Sequence, residues 1–301
     1  MGVAEVFSAL LYPADDVATT IVWDLRVPRT LVGMLVGASL GVAGAAMQGL
    51  LRNPLAEPGV VGVSGCAGLG AVLVFYSGLM VVSPLLLPLG GMVGAFLAVI
   101  LLYLLTQRGS TTQTIILAGV AINAFAGAMT SLALNMSSNP FAAYEVVFWL
   151  MGSIADRSME HVWLCLLPMG LGWLFLSVSA RGLDALSLGE DSAASLGVSL
   201  PRLRQLVILG TALAVGAAVS VSGMIGFIGL VVPHILRPWL GYQPSRLMFW
   251  SGLGGAGLLL IADMIVRLVP TNIELKLGVV TAIFGAPFFL LLIQRMRREL
   301  L

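Results

Sequence analysis

Residues 180–204 read ARGLDALSLGEDSAASLGVSLPRLR, and they form the longest stretch of this chain that cannot lie in a lipid bilayer. Charged side chains are interleaved with leucine and valine along it, which predicts one or two short amphipathic helices joined at Gly189 and Gly197. A polar segment of this kind can cover the surface of another protein. Long apolar segments precede and follow it, so the rest of the chain is organised around this polar stretch.

The composition places the rest of the chain in a membrane. Hydrophobic residues make up 59% of 301 positions and charged residues only 10%, against roughly 25% in soluble domains. We therefore predict an all-α polytopic membrane protein. A formal net charge of +1 argues against a nucleic-acid partner, since phosphate binding needs a basic face. Cys66 and Cys165 lie in apolar runs, and we interpret them as core residues without a disulfide or metal role.

Nine apolar segments are candidates to cross a bilayer, which takes about 20 residues. The predicted spans are residues 30–51, 59–79, 85–105, 114–135, 162–180, 205–223, 225–240, 247–269 and 277–293. The division after Gly223 stays open, because GMIGFIGLVVPH can also form a re-entrant turn. Residues 141–149 are too short to span and, with Tyr144, Phe148 and Trp149, are typical of an interfacial helix.

The distribution of basic residues predicts the orientation. With the polar stretch in the cytoplasm, ten basic residues fall inside: Arg52, Arg108, Arg181, Arg202, Arg204, Arg237, Arg246, Arg295, Arg297 and Arg298. Five fall outside: Arg26, Arg29, Arg157, Arg267 and Lys276. This bias follows the positive-inside rule, and nine spans then put Met1 outside. Residues 1–29 show neither a span nor a signal peptide, so we expect a first helix to be missing upstream, through truncation or a misplaced start codon.

The two halves of the chain show weak sequence similarity to each other. Pro28 precedes RTLVGMLVGASLGVAG, and Pro201 stands shortly before RQLVILGTALAVGAAVSVSG. Many transporters build a pathway at the pseudo-symmetric interface between such repeats. Low-complexity sequence can produce the same similarity by chance.

Seven segments, in order, carry a resemblance to one known family. They are LRVPRTLVGMLVGASLGVAGAAMQGLLRNPLAEPGVVGVSG (25–65), ILAGVAI (116–122), FWLMGS (148–153), LSLGEDSAASLGV (186–198), IGFIGLVVPHILR (225–237), LLIADMIVR (259–267) and LGVVTAIFGAPFFLLL (277–292). Together they resemble the permease subunits of the ABC importers for iron-siderophore complexes, haem and vitamin B12, the FecCD-like type II importers. The resemblance implies the inverted-repeat permease fold of these importers. It also implies an extracytoplasmic segment over residues 1–29, a transmembrane permease domain over residues 30–301 and a coupling region over residues 181–204. Family members have ten helices, so the first would be absent here.

The loop RNPLAEPG, residues 52–59, lies between two predicted spans. Its two prolines prevent a continuous helix and predict a rigid cytoplasmic turn. By resemblance, Asn53 and Leu55 stand at the inner mouth of a translocation path, and Thr112 and Gln113 supply the opposing gate. A tight polar hairpin without a gating role is the alternative.

Three arginines lie at the outer ends of predicted spans, with Arg26 and Arg29 on one and Arg267 on another. The resemblance implies that they grip glutamates on an extracytoplasmic substrate-binding protein, a contact that steers encounter and fixes register. The alternative is that they anchor the spans at the membrane interface. Asp263 can also pair with Arg267, four residues further along the same helix.

In the resembled family, the polar stretch corresponds to the coupling helices that fit a groove on the ATPase. The residues implied in this contact are Leu188, Gly189, Glu190, Asp191, Ser195, Leu196 and Gly197. From the residues themselves, Ser187 can cap a first helical turn, and Glu190 and Asp191 favour a helix N-terminus. A solvated loop without a partner is the alternative.

No residue pattern points to catalysis, a cofactor or a metal. The chain has no Walker-type glycine loop with lysine, so ATP hydrolysis requires another chain. The centres of the predicted spans lack the carboxylates and histidines of ion-coupled carriers. We therefore expect a path lined by Gly, Ala, Ser, Thr, Asn and Met. The candidate methionines are Met34, Met47, Met129 and Met224, which core or lipid-facing positions also fit.

The predicted function is that of an inner-membrane permease that moves an iron-siderophore, haem or cobalamin-type solute into the cytoplasm by alternating access. The implied partners are two ATP-binding subunits, one extracytoplasmic substrate-binding protein and a second permease, identical or paralogous. An ATP-independent facilitator is the alternative. A membrane-embedded enzyme would need His, Asp or Glu clustered at one depth, and the sequence shows no such cluster.

Overall fold

The computed structural model describes residues 1–14, 16–106, 112–137, 140–269 and 274–299. Within these ranges the chain forms helices and connecting turns, and no strand occurs there, which confirms the all-α prediction. The α-helices are α1 (Val3–Leu11), α2 (Val17–Thr20), α3 (Val27–Leu51), α4 (Val63–Tyr76), α5 (Leu86–Leu105), α6 (Thr112–Asn135), α7 (Pro140–Leu150), α8 (Met159–Leu186), α9 (Glu190–Ser195), α10 (Leu200–Ser222), α11 (Ile228–Leu236), α12 (Pro244–Leu268) and α13 (Leu277–Glu299). Short 3₁₀ turns cover Pro58–Val61, Leu79–Val81 and Arg237–Trp239.

Eight of the predicted spans coincide with apolar helices in the described residues. Six helical segments are long and apolar enough to cross a membrane: Val17–Leu51, Leu86–Leu105, Gln113–Asn135, Met159–Leu186, Leu200–Ser222 and Pro244–Leu268. Two further apolar helices, Val63–Tyr76 and Leu277–Leu292, are shorter. The helix α7, at 11 residues, matches the predicted interfacial helix in position and length.

The predicted span over residues 225–240 is not a full-length helix. Only α11 forms there, with 9 residues, and the 3₁₀ turn Arg237–Trp239 follows it. Phe227, directly before α11, has a left-handed backbone with φ of 68°. This conformation breaks the helix, because a residue with a side chain rarely adopts it inside regular structure. Residues 223–227 therefore form a non-helical break between α10 and α11, in the region predicted to span the membrane.

The first predicted span begins earlier than expected. The helix starts at Val17 and runs through a π-helical turn, Ile21–Arg26, into α3. Asp16 starts it, because its carboxylate accepts the Thr19 N–H at 2.7 Å. That hydrogen bond also lowers the pKa of Asp16. Residues 17–29, expected as part of an extracytoplasmic segment, are therefore continuous with the first span.

Close backbone contact joins α3 and α12 along their length. A Cβ on Gly37 would lie 2.3 Å from the Gly255 carbonyl oxygen, and a Cβ on Gly41 would lie 1.9 Å from that of Ser251. Residue numbers rise on one helix as they fall on the other, so the two helices are antiparallel. Small residues permit this approach, and dispersion contacts between the backbones hold such helices together in lipid.

The repeated halves run in opposite directions through the bundle. The helix α10 packs antiparallel to α8, with Gly210 against Gly172 and Leu203 against Gly182. The last turn of α8 meets the first turn of α12, since Asp184 accepts the backbone N–H of Ser245 at 2.8 Å. Consequently α10 begins at the end of the bundle where α3 finishes. Both helices carry a proline in the first turn, and the similarity in sequence corresponds to an inverted repeat.

Candidate transport path and docking surfaces

The polar stretch forms a short helix on a turn at one end of the bundle. The helix α9 lies between Gly189 and Gly197, whose φ values of 114° and 83° confirm the predicted sharp turns. Such angles favour glycine because it has no Cβ. The expected cap is wrong, however. Gly189 is the N-cap of α9, and the Ser187 hydroxyl instead donates to the Asp184 carbonyl at 2.6 Å.

An ion pair attaches the helix α9 to the bundle, and exposed apolar side chains flank it. Glu190 forms an ion pair with Arg204 of α10 at 2.9 Å, and Ala193, in the middle of α9, is fully buried. Leu188 and Leu196 flank the helix and are 68% and 65% exposed. Asp191, Ser195 and Gly197 are exposed as well, whereas Gly189 is half-buried. Exposed leucines at both ends of a short helix that an ion pair holds in place form a surface that another protein can cover.

The predicted gate residues lie at the same end of the bundle. Arg52 ends α3 with φ of 48°, and the Asn53 side chain accepts the Leu55 N–H at 2.9 Å, which closes a tight turn. Asn53 is exposed and Leu55 is half-buried. The helix α6 begins at Thr112, and Gln113 is exposed; the side chain of Thr112 lies outside the part that the structure describes.

Further inside, α6 packs directly on the turn that follows the gate loop. A Cβ on Gly119 would lie 2.1 Å from the Val60 carbonyl oxygen, so these backbones touch. Beside this contact lies a cleft of about 550 Å³. It is bordered by the chain from 57 to 65, by α6 and α10, by the break at 223–227 and by Gly229 in the first turn of α11. Leu40 and Asn123 line it from the middle of α3 and α6. The cleft therefore lies at mid-depth of the bundle.

The lining of this cleft corrects one expectation. Ser64, Asn123 and Met224 belong to the expected residue types, but the carboxylate of Glu57 lines the cleft as well. The gate loop turns back into the bundle after Asn53, which carries Glu57 from a predicted cytoplasmic loop to mid-depth. No local signal in RNPLAEPG predicted this path, because its prolines exclude a continuous helix but do not set the depth of the loop.

The four candidate methionines occupy different environments. Only Met224 is found among the residues that line the cleft. Met47 is fully buried in the core, Met34 is exposed on α3 and Met129 is half-buried on α6. A core position, weighed above for each of them, is confirmed for Met47.

At the opposite end of the bundle, one buried aspartate joins two of the three predicted docking arginines. Asp263 is 3% exposed and accepts hydrogen bonds from Arg29, with Nε at 3.0 Å and Nη2 at 2.7 Å from Oδ1. Its other oxygen, Oδ2, lies 2.5 Å from Nη2 of Arg267. Arg29 also binds Glu274 at 2.5 Å. We call these four residues the ion-pair cluster.

The three arginines therefore differ in accessibility. Arg29 is 17% exposed in its side chain, and its donors already bind carboxylates of the cluster. Arg267 is more open, although it pairs with Asp263 as the spacing predicted. Arg26 is exposed on the turn before α3, and no ion pair involves it within the described ranges. Sequence reasoning missed the link from Arg29 to Asp263, because the two lie on separate helices.

Comparison with known proteins gives a consistent set of relatives. Residues 1–295 match the family model of the FecCD transport family. The vitamin B12 import system permease protein BtuC of Vibrio cholerae is 43% identical over 91% of this chain and 83% of its own length. The uncharacterized ABC transporter permease protein YvrB of Bacillus subtilis is 39% identical over 94% of this chain and 81% of its own.

Two solved structures share the fold. A putative metal-chelate type ABC transporter in an inward-facing conformation aligns with a TM-score of 0.86 and 31% identity, over 97% of this chain and 95% of that one. PsaBC from Streptococcus pneumoniae, in complex with Fab, aligns with a TM-score of 0.57 and 17% identity, over 96% and 95% of the two chains. The second likeness concerns the fold alone.

Proposed function

Because this chain belongs to the FecCD transport family, we propose that it is the permease subunit of an ATP-driven importer for a bulky metal chelate. It is a multi-pass protein of the inner membrane. Its own residues carry out no bond-breaking chemistry in this proposal. Their task is to hold a path, to close it at either end and to respond to partner proteins.

The observation that carries the proposal is the form of the polar stretch. The helix α9 is tied to α10 through Glu190 and Arg204, so a force on its exposed face is transmitted to a long central helix. Leu188 and Leu196 supply the apolar contact on that face. An ATPase that grips these leucines can therefore move α10, whose other end borders the cleft.

In the proposed assembly, two ATP-binding subunits contact the end of each permease bundle that carries α9. One substrate-binding protein covers the opposite end, where Arg26 and Arg267 lie. A second permease, identical or paralogous, completes a central path between two clefts. ATP binding to the partner is transmitted through residues 186–198 and opens the gates at Asn53 and Thr112. Arg26 and Arg267 receive acidic groups of the binding protein at the opposite face.

The proposed cargo is an iron-siderophore complex, haem or a cobalamin. Cobalamin is the first candidate to test, because the vitamin B12 permease of Vibrio cholerae is among the relatives of this chain. The similarity to a metal-chelate type transporter fits all three cargo types, since each of them is a chelated metal.

The test is reconstitution. The chain is purified from its native membrane in mild detergent, the proteins that accompany it are identified, and the assembly is placed in proteoliposomes with ATP on the ATPase side. We expect an ATPase to co-purify and cargo uptake to require ATP and a loaded binding protein. Uptake that persists without ATP would instead indicate a facilitator, and failure of every chelate would contradict the cargo class.

A further inference from the structure

Two breaks in the helical backbone meet at the cleft. One is the chain from 52 to 62, and the other is the chain from 223 to 227. Non-helical backbone at membrane depth is tolerated only where protein or a cavity surrounds it and its polar groups find partners. The partners of these two breaks therefore determine the shape of the cleft wall.

Glu57 joins the two breaks. Its Oε1 atom accepts the backbone N–H of Phe227 at 2.9 Å, across 170 positions of the chain. Phe227 precedes α11 directly, so its N–H belongs to the end of that helix where amide groups lack partners within the helix. The positive end of the helix dipole also favours a carboxylate at this place.

Close contacts on both sides of this bond hold α11 in place. A Cβ on Gly44 would lie 1.9 Å from the Gly229 carbonyl oxygen, so α3 touches the first turn of α11. A Cβ on Gly229 would lie 2.8 Å from Cδ of Pro58, the residue after Glu57. At the other end of α11, Arg237 donates to the side-chain oxygen of Gln48, a buried residue of α3. Thus α11 is held at both ends.

We propose that Glu57 is a positioning residue of the transport cycle. Its carboxylate holds Phe227 and the start of α11 against the turn Pro58–Val61, so that the two segments of the cleft wall move as one unit. Glu57 acts here as a hydrogen-bond acceptor, and its charge is not a ligand for the cargo. This inference rests on the proposed function, because the cycle in question is the import cycle.

The experiment compares two substitutions of Glu57 in the reconstituted assembly, each with a side chain about as long as that of glutamate. Glu57→Gln keeps an oxygen that can accept the Phe227 N–H, whereas Glu57→Met fills the same volume without a strong acceptor. Glu145→Gln is the control, since Glu145 is an exposed carboxylate on α7. We expect Glu57→Gln to retain uptake within about threefold, because its amide oxygen still accepts the Phe227 N–H. We expect Glu57→Met to lose roughly tenfold or more, because it leaves this N–H without a side-chain acceptor.

A labelling assay measures how accessible the cleft wall is to solvent. Cys66 and Cys165 are replaced with alanine, Ser64 is replaced with cysteine, and its reaction with a water-soluble maleimide is timed. We expect faster labelling in Glu57→Met, because the wall loosens, and an unchanged rate in Glu57→Gln. Normal uptake and labelling in Glu57→Met would overturn the proposal. Equal loss of uptake in both variants, with labelling unchanged, would also overturn it and point to a charge that contacts the cargo.

A second measurement does not depend on folding of the Met variant. Spin labels at positions 59 and 224, one in each of the two segments of the cleft wall, should keep their separation when ATP binds to the assembly that retains Glu57. A change in this distance during the cycle would contradict movement as one unit. Absence of any ATP-driven uptake by the unsubstituted chain would refute the proposed function itself, which separates the two failures.

Discussion

Arg29 and Asp263 lie 234 positions apart in the chain, and two nitrogens of the arginine bind the aspartate, with Nη2 2.7 Å from Oδ1. The same aspartate binds Arg267, so one buried carboxylate fixes two arginines at the face that we assign to the binding protein. The pair also fastens the first turn of α3 to the last turns of α12. A single residue thus contributes both to stability and to the charge pattern of a docking surface.

The first prediction concerns stability. Asp263→Asn removes the negative charge between Arg29 and Arg267 and leaves both guanidinium groups less well paired. Breaking a largely buried pair costs on the order of 3 kcal/mol. We expect a clearly lower thermal unfolding temperature in detergent. Asp24→Asn is the control, because Asp24 is exposed on the π-helical turn; an equal loss there would contradict the role of the cluster.

The second prediction separates docking from stability. Arg26→Glu changes an exposed charge, so we expect weaker association with the binding protein, by about tenfold and mostly through a slower association rate, at unchanged thermal stability. Arg29→Glu would instead face Asp263 and Glu274 and destabilise the chain, which makes it a poor test of docking. Arg246→Glu, exposed near the start of α12, is the control. Unaltered association rates in Arg26→Glu would show that Arg26 is an interfacial anchor.

The features that the sequence predicted are local ones. Gly189 and Gly197 require turns through their own backbone freedom, and apolar length alone locates most spans. The features that it missed depend on contacts between distant segments. Nothing near Glu57 indicates that its loop returns to mid-depth, because that path depends on how Gly44 and Gly229 bring α3 and α11 together.

The sequence left a turn after Gly223 open as an alternative to a helix start, but it did not indicate where the break before α11 would lie or what would hold it. Phe227 is not a residue type that favours a left-handed backbone, and its conformation is observed where Glu57 binds its N–H. The sequence therefore indicated the fold class and the two end surfaces. It did not indicate the depth of the gate loop, and it left open whether a full-length span follows Gly223.

The third prediction concerns the ATPase contact. Leu196→Ser removes an exposed apolar side chain next to α9 without touching the Glu190 pair, so the fold should be unaffected. Burying a leucine at an interface contributes roughly 1.5–3 kcal/mol, and we expect at least a tenfold weaker association with the ATPase. Val81→Ser is the control, since Val81 is exposed in the turn after α4. Undiminished co-purification of the ATPase with Leu196→Ser would refute the coupling role of this surface.

The last prediction tests the contact between α3 and α12 with two glycines of one helix. A Cβ on Gly255 would lie 2.1 Å from the Gly37 carbonyl oxygen, so Gly255→Ala forces the backbones apart and should cost about 3 kcal/mol. A Cβ on Gly257 would meet no heavy atom within 4 Å. Gly257→Ala should therefore be neutral or stabilise the helix by up to about 1 kcal/mol. Thermal unfolding in detergent should show a clearly lower unfolding temperature for Gly255→Ala and an unchanged or higher one for Gly257→Ala. Equal shifts would mean that close approach of these backbones does not hold the bundle together.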